Sequence, residues 1–379
     1  MACLALACCY AKPLHESGIS TMPQMLSKEY GKNVATVAMV LTSIGSFLSI
    51  VAQVLSSVSL VTSVSSMHSV LATGLTVVLM IFYVFFGGIW GTGLVGVAKT
   101  LLLCITVGIC GIMAFYWQGG WSAFTVVLPS KQYFNLMARG PAVDVGAGLS
   151  VALGVITTQT YIQALISART VRLARAGALI SAALIPLIGI AGIFVGLYMK
   201  INAPDIDPAK ALPIFILQHL PPLFGGVVMA TILITVIGTA AGVSLGISSM
   251  FCNDIYRVYF NPQASDRMLL KVSRVTLASI LVCAALVTTG NLGSMILNWS
   301  FLSMGFRGAV AFGVLTAAIF IPGRIDRKYA MWSMVVGPLC ILIGKPFIGN
   351  MIDPLFFGVA GSLIVLAIGF FRNKNYQIS

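Results

Sequence analysis

The stretch TILITVIGTAAGVSLGISSMFCNDIYR, residues 231–257, is long enough to cross a bilayer, which takes about 20 apolar residues, yet one of its faces is not greasy. Thr231, Thr235, Gly238, Thr239, Gly242, Gly246 and Ser249 recur at spacings of three and four, so they share one helical stripe. Small and hydroxylated residues in such a stripe do one of two things. They let another helix approach closely, or they offer oxygens to an ion. The stripe alone leaves both open.

Working outward, the chain has 379 residues, of which 59% are hydrophobic and only 8% charged. Soluble domains carry roughly 25% charged residues. Apolar runs recur from end to end, so the chain is expected to be an all-α integral membrane protein. The net charge of +13 does not imply nucleic acid, because the basic residues gather in short loops between apolar runs. The eight cysteines stand singly, with no CxxC pair or Cys/His ligand spacing, and read as small core hydrophobes. The opening MACLALACCYAK is too short to span and carries no convincing cleavage site. It has the look of the end of a helix.

Spans are placed at 34–64, 68–88, 93–116, 145–167, 178–200, 223–251, 269–289, 294–321, 329–347 and 351–371, ten full crossings after the N-terminal stub. The segments Lys28–Lys32, Arg169–Arg175, Arg257–Arg274, Arg324–Lys328 and Arg372–Lys374 are basic, and the loops between them are nearly neutral. That alternation puts the basic loops and the C-terminus in the cytoplasm of a multi-pass cell-membrane protein. PDIDPAKALPIFILQHLPP, residues 204–222, is expected to hold a short external helix, and residues 117–144 form a second long outer loop. Gly87, Gly88, Gly91, Gly93 and Gly96 mark either a broken helix or close packing.

Several segments, in order, resemble the sodium:solute symporter family, which has the leucine-transporter fold. ISTMPQMLSKEYGK (19–32) is similar to the family's T-x-P-x-x-L…RYG loop, and FYVFFGGIWG (82–91) to its Y-x-x-x-GG turn. TQTYIQALISARTVRLARAG (158–177) is similar to the end of the sixth core helix. LPIFILQHLPPLFGGVVMATIL (212–233) and CNDIYR (252–257) match the segment that leads into and closes the next ion-binding helix. The resemblance covers nearly the whole chain. It implies a five-plus-five inverted repeat, with residues 1–116 as an incomplete first repeat, 145–321 as the second, and 329–371 as two extra C-terminal helices. It also implies that the first core helix is missing from this chain and that residues 1–12 belong to the second.

Carried over residue by residue, the family's sodium ligands on the 223–251 helix fall on Thr235, Gly238 and Thr239. Thr235 and Thr239 keep the oxygen donors that a hard cation requires, whereas Gly238 lacks a hydroxyl. Lys99, in GLVGVAKTLLLC (93–104), adds a positive charge inside a span, where the family often has an acid one turn earlier and this chain has Gly96. It either couples transport to a proton or snorkels to lipid phosphates. Arg307, in SFLSMGFRGAVAFGV (300–314), either anchors an anionic solute or sits in a cytoplasmic vestibule, satisfied by helix carbonyls. Thr158, Gln159 and Tyr161, with Thr157 and Thr160, and Gln53, Ser56 and Asn298 are solute-contact candidates because polar groups at mid-depth must be paired or face a cavity. Asp254 is expected to cap or pair at its helix end, near Arg257.

The resemblance therefore implies cation-coupled symport, with sodium as the coupling ion, of a small polar or anionic solute. The alternatives are proton-coupled or sodium-independent transport using Lys99, and a non-transporting remnant or sensor-like module. Nine acids and three histidines, nearly all in loops, form no catalytic constellation, so an enzyme is not expected. No cofactor beyond a possible sodium ion and no nucleic-acid partner is implied. The partners are a small solute and the lipid bilayer.

Overall fold

The computed structural model describes residues 1–65, 67–348 and 352–372, with side chains described outside 86–95 and 345–348. Lys374 lies outside the described residues, and Gly87, Gly88, Gly91 and Gly93 are described by their backbone alone. The start of the chain is helical through α1 (Ala2–Ala5), a π-turn at Leu6–Tyr10 and α2 (Ala11–Glu16). α3 (Met22–Tyr30) then starts on Thr21, whose hydroxyl accepts from the Gln24 N–H, with Pro23 in the first turn.

α4 (Lys32–Val64) and α5 (Ser69–Trp117) follow. The expected separation of two spans at 88–93 is not a loop, since α5 is helical over all 49 residues. A straight helix of that length would measure about 74 Å, over twice the hydrocarbon thickness of ~30 Å. On either side of 86–95, its stretches Ser69–Phe85 and Gly96–Trp117 are apolar. Glycine weakens helices in water, but away from water the backbone keeps its internal hydrogen bonds.

Two short helices, α6 (Trp121–Val127) and α7 (Ser130–Tyr133), occupy the long loop. The expected span 145–167 is broken into α8 (Pro141–Ile156) and α9 (Gln159–Ile166), bent by 45°. α10 (Val171–Asn202) leads to α11 (Ala211–His219), which is the short helix expected in 204–222. α12 (Pro222–Met250) continues as a π-helical turn to Phe260. α13 (Asp266–Thr289), α14 (Ile296–Phe320), α15 (Arg327–Ile348) and α16 (Leu355–Arg372) follow. Among the described residues, seven helices are long and apolar enough to cross a membrane, and the bent α8–α9 pair makes an eighth.

Burial sorts these helices. In the most apolar window of α14, 72% of residues are buried and in α4 56%, against 11% in α10 and 17% in α13. α4 and α14 are therefore the centre, and α10 presents Leu179, Ile180, Ile185, Leu187 and Ile193 outward, as a lipid-facing helix does. α14 packs on α4 and α8 on one side and on α15 and α16 on the other, while α12 packs on α4 and α5. Small residues permit these approaches. A Cβ on Gly154 would lie 2.6 Å from the Met304 carbonyl oxygen, so α8 and α14 meet backbone to backbone.

One end of the bundle gathers the basic segments. Glu29 bonds the Gly323 N–H, Arg327 lies against Gly31, and Tyr259 bonds Thr36 at 2.9 Å. The opposite end gathers Trp117, Tyr198, Phe215 and His219, with Ser59 donating to the Ala209 carbonyl at 3.0 Å.

Candidate functional site

The break between α8 and α9 comes from two adjacent threonines. Thr157 Oγ1 donates to the Leu153 carbonyl at 2.9 Å, and Thr158 Oγ1 donates to the Gly154 carbonyl at 2.5 Å. Such side-chain bonds compete with the helix ladder, and Thr158 turns extended, with φ −81° and ψ 123°. Carbonyls freed by the bend thus stay satisfied in an apolar interior.

Arg307 reaches into this break from the middle of α14 with 1% of its surface exposed, so it is not in a vestibule. Its Nη1 donates to Thr158 Oγ1 at 2.8 Å, its Nε to the Ser303 carbonyl at 3.2 Å, and its Nη2 to Ser303 Oγ at 3.1 Å and to the Met304 sulfur at 3.1 Å. Ser303 in turn donates to the Gly45 carbonyl of α4 at 2.6 Å. A Cβ on Gly45 would lie 2.5 Å from Arg307 Cγ, so only glycine admits the arginine stem. The guanidinium is therefore held by its own helix and by the α8–α9 break, while α4 packs on the arginine stem and holds Ser303. Ser303, Met304 and Gly45 were not foreseen, although Ser303 stands one helical turn before Arg307.

The other solute candidates are dispersed. Tyr161, one turn into α9, is 40% exposed and within electrostatic reach of Arg307. Gln159 is buried, but its amide serves the protein itself. It accepts from the Met22 N–H at 2.8 Å and donates to the Ser20 carbonyl at 3.2 Å. Gln53 and Ser56 lie half-buried on α4. Asn298 is exposed near the start of α14, at the end of the bundle rather than at mid-depth.

On α12, the stripe divides into parts. Thr231, Thr235 and Thr239 each donate to their own helix four residues back, at 2.8, 2.7 and 2.8 Å. Each hydroxyl oxygen keeps lone pairs turned away from that bond. Gly246 packs on α9, where its Cβ would stand 3.2 Å from Thr160 Cγ2. At Gly238 the neighbour is Lys99. A Cβ there would be 2.7 Å from Lys99 Nζ and 3.2 Å from the Tyr83 hydroxyl. The ammonium is thus directed to the middle of α12, beside the position that lacks a hydroxyl. Packing and polar functions coexist on one stripe.

The T-x-P loop, the start of α9 and the D-I-Y-R segment meet in space. Thr21 Oγ1 bonds both oxygens of the buried Asp254 carboxylate, at 3.0 and 2.9 Å. With Gln159 holding Ser20 and Met22, three distant segments are clamped at one junction. Asp254 pairs with a hydroxyl, not with Arg257.

The sodium:solute symporter family model matches residues 1–337 of the chain. The chain belongs to the sodium:solute symporter family. Members similar to it include high-affinity choline transporter 1 of Torpedo marmorata, 24% identical over 361 residues, covering 89% of this chain and 60% of that protein. The sodium/glucose cotransporter of Vibrio parahaemolyticus is 26% identical over 403 residues, covering 93% and 72%. A sodium/proline symporter of Escherichia coli is 27% identical over 156 residues, covering 39% and 30%. Among solved structures, a substrate-bound Na+-coupled sialic acid symporter superposes with a TM-score of 0.79 at 18% identity, covering 99% of this chain and 82% of that one. This symporter-family chain spans 60% of the Torpedo protein and 47% of a Drosophila melanogaster choline transporter.

Proposed function

We propose that the chain is a secondary transporter of the plasma membrane that moves a small solute by sodium-coupled alternating access. The observation that carries this is the family match over residues 1–337, joined to a helix broken at mid-bundle beside α12. Broken helices at the midplane supply backbone dipoles and oxygens to solute and ion. In this proposal residues 1–116 and 145–321 are the two repeats, and residues 329–371 are peripheral. The basic end and the C-terminus face the cytoplasm. Thr235 and Thr239 offer hydroxyl oxygens to sodium, and Gly238 contributes only backbone.

The test is uptake into proteoliposomes of labelled choline, glucose, proline and lactate under an inward sodium gradient. Accumulation of at least one of them above its equilibrium level, lost in Thr239→Ala, supports sodium coupling. Accumulation of none contradicts transport.

One observation favours a second mode of coupling. Lys99 Nζ stands at Gly238, where a cation bound to the stripe would meet it. A tethered ammonium there replaces the ion and cycles by losing its proton. Uptake driven by a pH gradient, indifferent to sodium and abolished in Lys99→Met, selects this mode. Strong sodium dependence that persists in Lys99→Met rejects it.

A further inference from the structure

The electrostatics of the centre are one-sided. Arg307 is 1% exposed, and none of the chain's nine acids lies within ion-pairing distance of it. The one ion pair among the described residues is Arg139 with Asp144, at the start of α8. A guanidinium is always charged and has five N–H donors. Four bonds are made, all to neutral groups, and one of these is to the Met304 thioether, a weak acceptor. One Nη1 hydrogen has no partner among the described residues. The edge of the fork nearest the α8–α9 break is therefore under-satisfied.

Two neighbouring features point the same way. α9 begins at the break, so the N-terminal end of its dipole adds partial positive charge there, although the Tyr161 N–H is already bonded to the Thr158 carbonyl at 3.1 Å. The Thr158 hydroxyl is already on Arg307, and Tyr161, on the next turn, is partly exposed. Lys99 adds a second intramembrane cation, with no acid to offset it among the described residues. Burying an unpaired charge in an apolar interior is costly, and a hydrogen-bonded counter-anion relieves that cost.

α4 carries polar residues between the site and one end of the bundle. At the end of the bundle opposite the basic loops, a cavity of about 500 Å³ is lined by Ser59, Thr62, Ser69, Asp207 and Lys210. Along α4 from Ser59, the residues Ser56, Gln53 and Ser49 lie on the same side of the helix as Gly45. Gln53 and Ser56 are half-buried and make no hydrogen bond with the described residues. From Ser59 down to Gly45 is roughly 21 Å along the helix axis.

We propose that Arg307 is the anchor for a carboxylate carried by the transported solute, received at the α8–α9 break with Thr158 and Tyr161 beside it. This rests on the transport reading above and names the substrate class of that same site. In the conformation described the site is closed over. Opening at the break lets one carboxylate oxygen take the unpartnered Nη1 hydrogen and the other displace the Met304 sulfur from Nη2. The forked geometry suits a carboxylate and does not suit a sugar hydroxyl or a quaternary ammonium.

The experiment is binding to the full chain in nanodiscs, followed by proteoliposome uptake, with lactate, pyruvate and gluconate set against glucose, myo-inositol and choline. Wild type, Arg307→Lys and Arg307→Gln are compared at equal amounts of folded protein. Carboxylates are expected to bind and to compete with one another. Their affinity should fall about 10- to 100-fold in Arg307→Gln and less in Arg307→Lys. A purely structural arginine lowers the yield of folded protein without changing the carboxylate-to-neutral ratio, and that result overturns the proposal. Uptake of glucose, inositol or choline with carboxylates inert also overturns it and leaves the transport reading standing. Binding and uptake of none of the six removes the transport reading, and the anchor falls with it.

Discussion

Placing one methyl group between α4 and α14, by Gly45→Ala, tests the packing that delivers Arg307 to the break. The new Cβ would lie 2.5 Å from Arg307 Cγ and 3.2 Å from Phe306 Cδ1. Carbon atoms pack comfortably at ~3.5–4.0 Å, so the shortfall is about 1 Å. The clash is with the stem of the arginine, not its mobile tip. Nor can α14 retreat, because on its far side a Cβ on Gly337 would already be 2.6 Å from the Ala309 carbonyl. Overpacking of this kind costs about 1–3 kcal/mol. Stretching the 2.6 Å bond from Ser303 to the Gly45 carbonyl adds ~0.5–1.5 kcal/mol. The expected loss is therefore about 2–4 kcal/mol, read as a shifted denaturant midpoint in detergent micelles. Gly108→Ala is the control, since nothing lies within 4 Å of that position, and alanine should stabilise the helix by about 0.5–1 kcal/mol. Equal stability of Gly45→Ala and wild type, or equal destabilisation by the two substitutions, refutes the reasoning.

The Thr21–Asp254 pair should show coupling of ~1.5–3 kcal/mol in a double-mutant cycle of Thr21→Val and Asp254→Asn, because the acceptor is a buried carboxylate. Additive effects would mean that the clamp carries no energy. Gly238→Ser with Lys99→Gln restores a hydroxyl to the stripe and removes the ammonium beside it, so the sodium concentration for half-maximal uptake should fall by at least about tenfold. An unchanged value would separate Lys99 from the ion's place. Asp353, in the loop before α16, has its carboxyl pushed above the ordinary range by burial, against the opposing Leu355 N–H and Arg139. A raised folded-state value means that its contribution is most favourable at low pH and is lost as pH rises through the ordinary carboxylate value to the raised one. The melting-temperature difference between Asp353→Asn and wild type should therefore be near zero at about pH 4 and grow towards neutrality. A difference independent of pH would remove the linkage.

Much of the fold was legible because burial in a bilayer leaves a strong imprint on composition. Apolar runs gave α4, α12, α13, α14 and α16 within a few residues, α10 apart from its first two turns, and the proline-rich 204–222 segment gave α11. Two local features were not legible. The spans expected at 68–88 and 93–116 run on as one helix, and the span expected at 145–167 is broken within itself at Thr157–Thr158. In an apolar medium glycine need not break a helix, whereas hydroxyls that bond backward can take over the carbonyls at a bend.

At the site, residue type pointed to Arg307 and Lys99, because charge inside a span is rarely without purpose. What each one faces was not legible. The partners Thr158, Gly45 and Gly238 lie far away along the chain and meet these two side chains only through helix packing. Gln159 shows the converse. Its type suggested solute, while its amide holds the start of α3.

The central claim is that movement of solute and of cation is one event. The direct measurement is ²²Na⁺ influx into proteoliposomes, with and without a solute that the uptake panel identifies, in wild type and Thr239→Ala. The account predicts a saturable increase in ²²Na⁺ influx on adding solute, absent in Thr239→Ala. Solute entry that leaves ²²Na⁺ influx unchanged in wild type contradicts it.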